Sequence, residues 1–287
     1  MKRFFLSCLL FSLIGCSDTP VLVDTDIKVD IDSTTYQSKG KNQRINFIIL
    51  HYTAVNDAIS IRGLTNTNVS SHYLVTTNSD DPVYSLVPDI ERAWHAGVSN
   101  FKNYSNLNNN SIGIEIVNLG YDTSRKYGIK HGDPNNLRPK DFFYPYTRKQ
   151  IEKIALLVKD LKNKYNIKDN FILGHSDIAP LRKQDPGPLF PWKDLYEQYA
   201  IGAWYEESDK DFFFDQKLFS AESKENIISE FKKYGYFLNS DISELDFSKV
   251  IYAFQCHFRP EKVDGILDLE TYAILRALNK KYSTSKE

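Results

Sequence analysis

Two short apolar runs in this chain each lead straight to a histidine. Residues 45–50 are rich in isoleucine and stop at His51, and residues 170–173 deliver Gly174 and His175. Runs this short, rich in branched and aromatic side chains, predict buried strands. Residues 72–77 and 83–87 read as two more, with the polar 78–82 segment as the turn between them. Residues 111–117 make another, whose alternation puts Ile112, Ile114 and Ile116 on one face and Glu115 on the other. Thr147 opens a helix, with Gln150 at capping-box spacing and an apolar stripe of Ile151, Ile154, Val158, Leu161 and Tyr165. Together these predict an α/β fold, a mixed central β-sheet flanked by helices.

The pattern changes after Trp192. Residues 194–202 suit a helix and 203–220 a linker. Three helical patterns follow at 224–234, 244–258 and 268–282, with Asp264-Gly265 as a turn and Asp268 as an N-cap. A small C-terminal three-helix domain over 221–287 is therefore expected beside a main domain over 41–202. A chain of 287 residues is long enough for both. The polar stretch 121–145 reads as a long loop or insertion.

The first residues are not part of the fold. Met1-Lys2-Arg3 is basic, residues 4–14 are apolar and too few to span a bilayer, and Leu13-Ile14-Gly15-Cys16 resembles the bacterial lipobox. Residues 1–16 are expected to be a lipoprotein signal with Cys16 lipidated, and residues 17–40 a polar tether. Of the three cysteines, Cys8 leaves with the signal and Cys16 takes lipid. Cys256 then stands alone, and no intrachain disulfide can form. Ser17, rather than aspartate, follows the cysteine. In the sorting rule this resembles, that places the chain on the periplasmic face of the outer membrane.

Bulk composition excludes little except nucleic acid. The formal net charge is −1, so no global basic field favours a polyanion. The chemistry must come from particular side chains. His51 and His175 sit at strand ends, which border the crevice where open α/β sheets bind ligands. Asp185 follows on a loop, 174–188, stiffened by glycine and proline. Two imidazoles and a carboxylate suit a zinc ion with a fourth position left for water. Spacing alone leaves the alternative open that each is an ordinary satisfied polar residue. Glu115 could equally be a surface carboxylate and Lys183 a solvated cation.

Five ordered blocks add to this: His51-Tyr52-Thr53-Ala54 with the strand before it, Ser71-His72-Tyr73-Leu74-Val75, Ala93-Trp94-His95-Ala96-Gly97, Ser111-Ile112-Gly113-Ile114-Glu115, and Gly174-His175-Ser176-Asp177 running on to Pro188. Over about residues 40–200 they resemble the zinc-dependent N-acetylmuramoyl-L-alanine amidases, the family related to peptidoglycan recognition proteins and phage amidases. The outer-membrane lipoprotein branch is the nearest in pattern. The run 253–260, with Asp264-Gly265, Asp268 and Thr271, resembles a peptidoglycan-binding helical domain. The resemblance implies one Zn2+ held by His51, His175 and Asp185, where some relatives have cysteine at the last position. It implies that Glu115 relays a proton from water to the leaving amine. Lys183, beside zinc, would stabilise the oxyanion. Trp94 and His95 are candidates for substrate contact or for plain packing. His72 is expected to be structural, His131 exposed in the insertion, and Cys256 and His257 packed in the helical domain.

The implied reaction is hydrolysis of the amide between N-acetylmuramic acid, including its 1,6-anhydro form, and L-alanine of the stem peptide. Peptidoglycan and muropeptides are then the partners, with the membrane reached through the anchor, and the chain is expected to be a monomer. The helical domain would hold the enzyme on murein by raising the local concentration of the second contact. Two other readings compete. A non-catalytic recognition module tends to lose a zinc ligand, whereas this chain keeps all three with Glu115 and Lys183. A zinc peptidase cutting within the stem peptide would differ in its products.

Overall fold

The computed structural model describes residues 30–125, 137–239 and 241–283. The expected leader with Cys16, residues 17–29 of the expected tether, and His131 with most of the insertion lie outside the described residues. The chain divides into two units, Met1–Asn42 and Gln43–Glu287. In the first, residues 30–42 form neither helix nor strand. Asp32 there holds a turn, accepting from the Thr34 and Thr35 backbone at 2.8 and 3.0 Å.

The second unit is built around β1 (Phe47–Tyr52). β1 pairs in parallel with β6 (Ser111–Ile116) on one side and with β7 (Ile172–Gly174) on the other. β2 (Tyr73–Val75) adds in parallel to β6, and β3 (Tyr84–Ser85) closes that edge antiparallel, giving the order β3-β2-β6-β1-β7. A strand paired on both sides in a parallel sheet is apolar throughout, and Phe47, Ile48, Ile49 and Leu50 are fully buried. Pairing with β6 carries β1 beyond residue 50, so His51 and Tyr52 lie within the strand rather than after it. β2 and the edge strand β3 are shorter than their apolar runs suggested. β4 (Asn100–Phe101) and β5 (Tyr104–Ser105) form a separate hairpin.

α1 (Asp57–Leu64) buries only Ser60 and Leu64, so it has no stripe to betray it in the sequence; Asn56 caps it. α2 (Arg148–Tyr165) has both halves of the Thr147–Gln150 capping box and buries Ile154, Ala155, Val158 and Leu161. Gln150 also donates to the Val117 carbonyl at 2.7 Å, tying the helix to the end of β6. α3 (His175–Ile178) follows β7 without a break, and α4 is Trp192–Tyr199. The segment expected as a linker holds two short helices, α5 (Glu207–Phe213) and α6 (Gln216–Ala221). Asp215 caps α6, and both lie against the last helix. α7 (Lys224–Tyr234), α8 (Glu244–Phe258) and α9 (Leu269–Tyr282) match the three expected helices. Among the described residues no helix is long and apolar enough to cross a membrane.

The C-terminal helices reach the sheet's working end through one buried carboxylate. Asp177 on α3 accepts from the Gly174 backbone at 2.8 Å, from His257 Nδ1 on α8 at 2.7 Å and from the Tyr236 hydroxyl at 2.7 Å. The His257 ring stacks on Trp192, with centroids 3.9 Å apart. All three polar groups at Asp177 are out of water, where a lost partner is expensive. Tyr236→Phe is therefore expected to lower unfolding stability by about 1.5–3 kcal/mol, the worth of a hydrogen bond to a charged group, read from urea denaturation at constant slope. An unchanged midpoint would mean that Asp177 does not need the hydroxyl.

Candidate active site

Three elements bring His51, His175 and Asp185 to one point. His51 lies on β1 and His175 opens α3 immediately after β7. Asp185 returns on the loop, held where its own carbonyl accepts the Ser176 N–H at 2.8 Å. The loop can come this close because residue 174 is glycine: a Cβ there would stand 2.6 Å from Pro186 Cδ. Tyr146 donates to the Pro186 carbonyl at 2.7 Å from the other side.

The ligand atoms form a nearly equilateral triangle. His51 Nδ1 and His175 Nδ1 are 2.9 Å apart, and Asp185 Oδ2 lies 3.1 and 3.0 Å from them. Donors around a four-coordinate zinc with bonds of about 2.0–2.1 Å stand about 3.3 Å apart, so the set fits such an ion with little adjustment. Burial, with His175 alongside, pulls the His51 imidazole down to about 4, which leaves it neutral and able to ligate at pH 7. For Asp185 burial acts upward, but His175 and His51 outweigh it and hold the carboxyl well below the usual carboxylate range. Other metal-sized groupings of three such residues are absent among the described residues.

The sheet register supplies the next group. His51 pairs directly with Glu115 across β1 and β6, and paired residues of neighbouring strands share a face. Glu115 is half-buried as a residue, but its Oε2 is sealed from water with no hydrogen-bond partner among the described residues. Burial first, then the charge of Asp185, pushes its carboxyl up to about 8, while Lys183 draws it back. Glu115, Lys183, Trp94 and the three ligands line one cavity of about 330 Å³, whose far wall is apolar, with Val55, Ile59 and Leu64. Trp94 is half exposed there, its backbone N–H fixed by Ser70 Oγ at 2.8 Å.

The remaining histidines are placed differently. His95 borders the cavity but is buried behind His51, its Nδ1 3.0 Å from His51 Nε2. Burial, with His51 and His72 beside it, holds its ring well below the ordinary histidine range. His72 accepts the Gly113 N–H at 3.0 Å and donates to the Glu91 carbonyl at 3.2 Å, a structural tie. Cys256 and His257 are buried on α8. Sequence reasoning missed Asn108, whose Oδ1 holds the backbone N–H groups of His95 and Ala96 at 3.1 and 2.8 Å. One asparagine in the run 106–110 carries no local sign of that task.

Residues 41–188 match the N-acetylmuramoyl-L-alanine amidase family, and the chain belongs to it. It is 37% identical to the N-acetylmuramoyl-L-alanine amidase AmiD of Escherichia coli over 289 residues, covering 98% of this chain and 99% of AmiD. A crystal structure of E. coli AmiD with the substrate anhydro-N-acetylmuramic acid-L-Ala-D-γ-Glu-L-Lys superposes with a TM-score of 0.75 at 36% identity, covering 88% of this chain and 95% of that one. AmpDh3 from Pseudomonas aeruginosa, in complex with an anhydromuramic pentapeptide, superposes with a TM-score of 0.78 at 38% identity, over 89% and 99% of the two chains.

Glu115 makes the metal-free fold pH-dependent. An unfolded glutamate releases its proton near 4.5, whereas the folded one keeps it to about 8. Between those values the folded chain binds the extra proton, so stability falls as pH rises. Glu115→Gln removes that loss. In metal-free protein it should match the parent at pH 4 and exceed it by on the order of a few kcal/mol at pH 8. Urea midpoints across that range read the difference, and a gap that does not grow with pH would contradict the burial of the carboxyl.

Proposed function

We infer that this chain is a zinc-dependent amidase that hydrolyses the bond between N-acetylmuramic acid, including the 1,6-anhydro form, and L-alanine of the stem peptide. One observation carries the reading: three converging ligand atoms share a cavity with Glu115 and Lys183, in a chain that aligns end to end with AmiD. His51, His175 and Asp185 would hold a zinc ion, which would supply Lewis acidity and a water whose pKa falls to about 7.

The protein groups do the rest. Glu115 Oε2, unpartnered and on the His51 face, takes a proton from the attacking water. It passes that proton to the alanine nitrogen as the C–N bond breaks, leaving a lactyl carboxylate and a free amine. The Lys183 ammonium faces the carbonyl oxygen as it gains charge. Trp94 offers a half-exposed aromatic face to the sugar or peptide beside the apolar wall.

Residues 1–16 act as a lipoprotein signal, and lipid on Cys16 with the 17–40 tether holds the enzyme as a monomer on the periplasmic face of the outer membrane. The basic start, the short apolar run and the cysteine at its end support this. Residues 41–202 carry catalysis, 203–220 connect, and 221–287 bind peptidoglycan, a role supported by the motif at 253–260. Cys16→Ser is expected to move the protein from the membrane fraction to the soluble fraction of fractionated cells; an unchanged distribution would remove the anchor.

Mass spectrometry of digested murein tests the reaction. Free intact stem peptides and peptide-free glycan, both lost with a chelator, are expected. Shortened peptides would identify a peptidase instead, and untouched murein a recognition protein. Lys183→Ala is expected to bind one zinc per chain as the parent does, yet lose about 10²–10³ in turnover. Near-normal turnover in that variant would remove Lys183 from the mechanism.

A further inference from the structure

We propose that His95 is a positioning residue for the metal site: with Ala96 it sets the proton positions of both metal-binding imidazoles, and Asn108 and Gly113 hold it there. The inference rests on the metal reading above and goes beyond it to residues that touch no metal.

Hydrogen-bond direction sets where each ring carries its proton. A histidine that ligates through Nδ1 carries its proton on Nε2, and that N–H needs an acceptor. For His175 the acceptor is the Ala96 carbonyl, 3.0 Å from Nε2. For His51 it is His95 Nδ1, at 3.0 Å. His95 must then hold its own proton on Nε2, and Ser111 Oγ stands 3.2 Å from that atom. Ser111 in turn donates to the Leu107 carbonyl at 2.5 Å. From His51 through His95 and Ser111 each link has one donor and one acceptor, so that series has a single consistent direction, ending on a backbone oxygen that cannot reverse it; the Ala96 carbonyl accepts from Arg182 as well.

Two adjacent residues thus serve both ligands, one through its side chain and one through its carbonyl. Their backbone is fixed by Asn108 Oδ1, which accepts from both N–H groups. The His95 ring lies flat against β6 because residue 113 is glycine. A Cβ there would stand 2.4 Å from His95 Cγ. Gly113 is not among the glycines with positive φ, so its backbone admits alanine, whose Cβ would meet the His95 ring first.

The test is zinc affinity of the full chain, by competition with a chromophoric chelator, beside steady-state kinetics and melting of the metal-free protein. His95→Leu should weaken zinc binding about 10–100-fold, the usual effect of losing an outer partner of a ligand. His95→Asn places an oxygen near the Nδ1 position and should recover most of that loss. Gly113→Ala should weaken zinc binding with every ligand and His95 itself still present, and it serves if the leucine variant does not fold. An affinity unchanged in His95→Leu, or a raised KM alone, would overturn the inference and return His95 to substrate contact. Loss with no recovery in His95→Asn would overturn it in favour of plain packing. A parent chain that binds no zinc would overturn the metal reading itself.

Discussion

Two imidazole nitrogens and a carboxylate oxygen held within 3.1 Å of one another, out of water, form the constraint on which the rest of the structure depends. The carboxylate draws on both imidazoles, but the cluster needs more than its own members. It persists because each side chain is oriented from behind, His175 by the Ala96 carbonyl and His51 by His95. Glycine at 174 and 113 lets a proline and an imidazole come closer than any Cβ would allow. The convergence is a property of the surrounding backbone as much as of the three residues.

The parallel sheet turns that convergence into a reactive site. Because β1 lies between β6 and β7, a ligand, the proton-carrying Glu115 and the second ligand arrive from neighbouring strand ends. No loop has to find them. The C-terminal helices contribute at one remove. Asp177 is two residues from His175 and is held by Tyr236 and His257, so the helix that begins with His175 is clamped from the C-terminal side.

The site also sets activity against stability. Glu115 is kept dry enough to hold its proton to about 8 in the metal-free chain, which weighs against the empty fold at neutral pH and means that the carboxyl must be ionised before it can accept a proton. Buried polar groups of this kind are characteristic of functional sites. A divalent cation and Lys183 act on the same carboxyl in the opposite direction.

The parts legible in the sequence are those governed by neighbours along the chain. The capping box at Thr147, the apolar runs of β1, β6 and β7, and the stripes of α7 to α9 all follow from local spacing. α1 escaped notice because it buries too little to leave a stripe, and α5 and α6 because their partner, α9, lies some sixty residues further on. His95 shows the limit most plainly: its motif left substrate contact and plain packing both open, while its place behind His51 depends on a glycine in β6. The sequence by itself determined which chemical groups were available and which segments would be strands or helices, because those depend on short-range backbone preference and burial. Only the tertiary structure decided that residues as far apart as 51 and 185, 134 positions along the chain, would share one point in space. That contact is made by the packing of β1 between two later strands, and no local preference encodes it.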